Sequence, residues 1–62
     1  MTPDQERWAE ALAVERLHGA RAPVWIAERI GALALAGDTA GVARFRQIAA
    51  KLESIQRASR DG

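Results

Sequence analysis

The chain contains no cysteine and no tyrosine, and only one histidine, one phenylalanine and two prolines among its 62 residues. Without cysteine there is no disulfide and no thiolate zinc site, and one histidine cannot complete a metal centre. No metal or other cofactor is therefore expected. Absence of cysteine also agrees with a reducing cytosol. Uncharged runs are short: the longest, Ile30 to Gly37, falls far below the roughly 20 apolar residues of a membrane-spanning helix. The opening Met-Thr-Pro-Asp-Gln-Glu has neither the basic region nor the apolar run of a signal peptide. The expectation is a cytoplasmic protein with no membrane partner.

A chain this short makes one domain, residues 1–62, with a marginal core. Ordering costs roughly 1.5 kcal/mol per residue, so a small fold needs a staple such as a disulfide, a metal, a partner subunit or very regular helix packing. The first two are excluded here. The net charge of +1 supplies no overall field toward nucleic acid or membrane. Charge is nonetheless uneven. Asp4, Glu6, Glu10 and Glu15 outnumber Arg7 and Arg16 at the start, whereas Arg44, Arg46, Lys51, Arg57 and Arg60 outnumber Asp38, Glu53 and Asp61 at the end. Either the acidic first segment lies beside the basic last one, or the faces are solvated, or the basic segment binds something.

Ala, Leu, Glu, Arg and Gln dominate, all good helix formers, and no run alternates with period two. The fold class expected is all-α: a small three-helix protein with helices at about 3–18, 23–36 and 39–58. Thr2 followed by Pro3 and Gln5 reads as a capping box, and Gly19 as the stop. Trp8, Leu12, Ala13 and Leu17 suggest the inward side of helix 1. Gly19 to Ala22 reads as a linker, with Pro23 opening helix 2. Gly37 caps helix 2 and Asp38 starts helix 3, so the second and third helices form a tight antiparallel hairpin. Helix 3 carries one clean stripe, Val42, Phe45, Ile48, Ala49, Leu52 and Ile55. Ser59 to Gly62 are expected to fray.

Helix 2 is unusual. From Pro23 to Ala36 only Glu28 and Arg29 are polar. Ile26, Ala27, Ile30, Leu33 and Ala34 form one face, and Val24, Trp25, Ala32 and Leu35 lie largely on the other. A helix apolar all round is normally buried all round, which two short neighbours cannot easily achieve. The surplus surface points to a subunit or partner interface at Trp8, Val24, Trp25 and Leu35. A homodimer is the favoured form, with an unidentified protein partner as the other option. Gly31 and Gly41 sit inside helical pattern at about 1 kcal/mol each, which a close helix approach would explain.

No enzyme is expected. His18 sits at a helix end where it suits the dipole, and Thr2, Thr39, Ser54 and Ser59 have no base beside them. Glu6 and Glu10 stand one turn apart but lack a cleft to shift their pKa. The glycines are scattered singly, so there is no phosphate loop. Nucleic-acid binding is the alternative function, with Arg44, Arg46 and Lys51 on helix 3 as contacts. Arg46 points away from the other two, no aromatic is interleaved for stacking, and nucleic acid is disfavoured as a partner. Ile26-Ala27-Glu28-Arg29-Ile30-Gly31 looks like half a helix-turn-helix, but the helical pattern continues through Ala36.

Gln5-Glu6-Arg7-Trp8-Ala9-Glu10, Ala22-Pro23 with Ile26-Ala27-Glu28-Arg29-Ile30, and Leu33 to Arg44 resemble a family of short uncharacterised alphaproteobacterial proteins, a domain of unknown function. The resemblance covers roughly Gln5 to Leu52. It implies a complete bacterial protein and neither an activity nor site residues. Leu33 to Asp38 with Ala43, Ile48 and Ala49 is also similar to the helix pairs of tetratricopeptide-type repeats, as a packing analogy. The function expected is a small protein-interaction module that associates first with itself.

Overall fold

The computed structural model describes residues 1–61, the last without its side chain. All regular structure in them is helical: α1 (Pro3–His18), a 3-10 turn (Gly19–Arg21), α2 (Ala22–Leu35) and α3 (Thr39–Asp61). The helical state is unbroken from Pro3 to Leu35. The Gly19–Ala22 linker is thus a helical corner: Gly19 turns the chain at φ 54°, ψ −126°, and its carbonyl accepts from the Ala22 N–H. Helix α3 also outlasts the expected end at 58, because the fraying assigned to Ser59 onward does not occur before Asp61; Gly62 lies outside the described residues.

The caps follow local chemistry. Thr2 accepts from the Gln5 N–H at 3.1 Å while its own N–H donates to the Gln5 side chain at 2.9 Å, a complete capping box. Helix α2 ends in a Schellman arrangement. Gly37 has φ 75°, its N–H donates to the Ala34 carbonyl, and the Asp38 N–H donates to that of Leu33. Asp38 then caps α3, accepting from the Gly41 N–H at 2.8 Å. A Cβ on Gly41 would meet the Asp38 carboxylate at 2.6–3.1 Å. Gly41 therefore makes room for its own cap, and the close helix approach expected of it does not apply. At Gly31 an added Cβ would meet nothing within 4 Å.

Helix α3 is the hub. Both α1 and α2 pack against it, and they touch each other much less. Helices α2 and α3 run antiparallel: Pro23 and Ile26 share a groove with Leu52 and Gln56, whereas Ala34 shares a cleft with Val42 and Ala43. The core comprises Ala11, Val14, Ala22, Ile26, Ile48 and Leu52, with Trp25, Ile30, Phe45, Ala49 and Ile55 packed partly buried against it. The stripe expected on α3 is the one used.

The inward sides of the other helices differ from expectation. On α1, Leu12 and Leu17 are exposed and Ala11 and Val14 are buried. Large side chains lose to small ones there because Ala11 lets α1 come close to α3. The basic flank of α3 also draws in the face carrying Asp4 and Glu10. On α2, Ile26 is buried but Ala27 and Ala34 are exposed. The buried side is centred on Ala22 and Ile26, with Trp25, Ile30 and Leu33 half-buried around it.

Candidate interaction surface

The uneven charge is consumed between α1 and α3. Arg44 donates to Glu10, its Nε at 3.0 Å, and Arg7 bonds the other oxygen of the same carboxylate. Arg7 Nε also donates to Gln47 at 3.1 Å. Lys51 Nζ lies 2.6 Å from Asp4 and 4.8 Å from the centre of the Trp8 ring. Burial raises the Glu10 pKa, but hydrogen bonds from Arg44 and Arg7 outweigh it and hold the carboxyl below its ordinary value. The hydrogen bond from Lys51 does the same for Asp4, against a smaller opposing effect of desolvation. Two of the three side chains considered for nucleic acid, Arg44 and Lys51, are therefore engaged within the fold, Arg44 sharing the single charge of Glu10 with Arg7. Arg46 lies apart, on the opposite flank of α3.

The four residues grouped as an interface do not share one face. Trp8 is half-buried beneath Lys51. Trp25 is half-buried in the corner, stacked on His18 with ring centres 4.6 Å apart and tilted against Phe45 at 6.2 Å. Only Val24, 51% exposed, and Leu35, 93% exposed, stand open. They are eleven positions apart, close to three full turns, and so lie along one line of α2.

That line borders a larger surface. At about 100° per residue, Ile30, Pro23, Ala34, Ala27, Gly31, Val24 and Leu35 follow one another around α2 with no charge until Glu28. Ile30 is half-buried and the rest are exposed. The arc continues into the seam with α3. One groove is lined by Pro23, Ile26, Ala27, Ile30, Ala49, Leu52, Glu53 and Gln56. A second cleft, at the hairpin end, is lined by Ala34, Gly37, Asp38, Thr39, Val42, Ala43 and Arg46. Helix α1 occupies the other flank of α3, at Arg44, Gln47 and Lys51. Of the four residues expected at an interface, Val24 and Leu35 lie exposed beside this arc; Ala27, Ile30 and the rim residues Glu53 and Gln56 were not among them, and Arg46 was expected only as a nucleic-acid contact. The signal was the charge-free arc of α2, which gains meaning only once α1 is known to take the opposite flank.

Among the described residues no three His, Cys, Asp or Glu side chains gather so as to hold a metal ion, and no helix is long and apolar enough to cross a membrane. Fold and surface together define a small all-helical protein with an open apolar flank on α2. The chain belongs to a family of unknown function, DUF6961, which matches residues 3–60. No curated protein and no solved structure matches it.

Proposed function

We propose that this chain is a small three-helix protein-interaction module without catalytic activity, and that its first partner is another copy of itself. The observation that carries the reading is the open apolar flank of α2, from Pro23 and Val24 to Leu35. Contiguous apolar surface of this kind marks interaction sites on soluble proteins. The area agrees. The chain exposes 4404 Å², whereas a compact monomer of its 6.7 kDa mass would expose roughly 3,900 Å². Among the described residues six hydrophobic ones are buried, two of them alanine; they form a thin core, and a second subunit is the staple such a core calls for. Val24 and Leu35 are the contact residues proposed. Trp25 and Trp8 act from behind, by holding the corner and the α1–α3 contact in place. The cytoplasm of a bacterium is the setting proposed, in line with the resemblance and the lack of cysteine.

The test is solution mass by light scattering across a range of concentrations, with Leu35→Glu and Val24→Glu as variants. A dimer that dissociates in both variants, with helicity unchanged by circular dichroism, supports the reading. A monomer at all concentrations removes self-association. The competing reading, a nucleic-acid-binding regulator using α3, is weaker because Arg44 and Lys51 are engaged with Glu10 and Asp4. Retardation of DNA or RNA at low salt, where phosphate contacts are strongest, would restore it.

A further inference from the structure

Charge is distributed along the open flank with a direction. Arg46 lines the cleft at the hairpin end of the α2–α3 seam, and Glu53 with Gln56 lines the groove at the opposite end. Both charged side chains are exposed. Two such flanks laid face to face in parallel would set Arg46 on Arg46 and Glu53 on Glu53. Laid antiparallel, they set Arg46 on Glu53 twice. Like charges across an interface are costly and opposite ones fix register.

The apolar arc has the matching symmetry. Its exposed branched members, Val24 and Leu35, stand toward the two ends, and the small Ala27 and Gly31 stand in the middle. An antiparallel pairing centred between Ala27 and Gly31 sets Ala27 against Gly31 of the second copy, Val24 against its Leu35, and Pro23 against its Ala34. Gly31 is not required by the fold around it, since an added Cβ there meets nothing. A close crossing at the centre of the pair would use it.

We propose that two copies of this chain pair through these flanks about a two-fold axis, with α2 antiparallel to α2 and Arg46 of each copy against Glu53 of the other. The pairing rests on the self-association proposed above. Glu53 already bonds Arg57 at 2.5 Å, but both side chains of that pair are about two-thirds exposed. Such an exposed pair contributes little and leaves the carboxylate free to accept a second cation.

The experiment compares the full chain with Arg46→Glu, Glu53→Arg and the double variant by sedimentation equilibrium, with circular dichroism as the check on folding. Each single reversal places like charges together at two symmetric contacts, so each should weaken the dimer by about tenfold, roughly 1.4 kcal/mol. The double variant should recover wild-type affinity. The two single variants mixed in equal amounts should pair with each other more tightly than either pairs with itself. Wild-type protein that stays monomeric overturns self-association itself. A wild-type dimer that is equally strong in both single variants leaves self-association standing and overturns the antiparallel arrangement.

Discussion

Ile48 sits near the middle of α3, about 1% exposed, in a core whose other large, well-covered residues are Ile26 and Leu52. Truncating it to alanine removes three carbons from the place where α1 and α2 both meet α3. Large-to-small changes at such sites cost about 2–5 kcal/mol, because the lost transfer energy is joined by an unfilled cavity. A domain of this length has a total stability of roughly 3–9 kcal/mol. Ile48→Ala should therefore remove a third or more of that stability, a loss of about 3 kcal/mol. Ile48→Val, which keeps most of the volume, should lose only about 0.5–1.5 kcal/mol. The assay is urea unfolding followed by far-ultraviolet circular dichroism and by the fluorescence of Trp8 and Trp25. Protein concentration must be held low and fixed, since association would add to apparent stability. With a slope of about 1 kcal/mol per molar urea, the alanine variant should unfold some 2–3 M earlier. A loss below about 1 kcal/mol, or equal losses for alanine and valine, would refute the placement of Ile48 at the junction of the three helices.

Gly31→Ala should raise stability by about 0.5–1 kcal/mol through helix propensity, measured by the same unfolding curves at low concentration. Gly41→Ala should show no such gain, because its Cβ displaces the Asp38 carboxylate from its cap and the cap is worth about 1 kcal/mol; equal gains at the two sites would disprove this. Gly19→Ala should cost about 1–3 kcal/mol, since φ 54°, ψ −126° suits glycine alone, whereas Gly37→Asn at φ 75° should cost only tenths; thermal melts of the pair will show the order. The lowered pKa values of Asp4 and Glu10 stabilise the fold fully above their ordinary values. That contribution is lost as pH falls through the lowered folded-state values, below about pH 4. Glu10→Gln should remove up to about 1 kcal/mol at neutral pH and shrink this acid loss, which a pH series of urea midpoints would reveal.

Local chemistry was enough to place the start of α1, the turn after α2 and the start of α3. Thr2-Pro3 with Gln5, the Gly37 Schellman turn and the Asp38 cap each act through neighbours a few residues away, so they are legible in order along the chain. The stripe of α3 was legible for a similar reason: one helix that serves two others must keep a broad, regular apolar side. Which sides of α1 and α2 turn inward was not legible. Helix α1 offers Leu12 and Leu17 on one side and Ala11 and Val14 on another, and periodicity alone favours the larger residues. The smaller pair is the one buried, with Ala11 letting α1 lie close to α3, and Asp4 and Glu10 on that side bond the basic flank of α3, a contact spanning more than thirty positions. The same contact fixed α1 on one flank of α3 and left the other open. Trp25 followed from it, drawn into the corner against His18 and Phe45 and away from the surface of Val24 and Leu35. The sequence by itself determined that α2 carries more apolar surface than two neighbours can cover. Only the tertiary structure decided which part of it stays open, because that depends on where α1 docks.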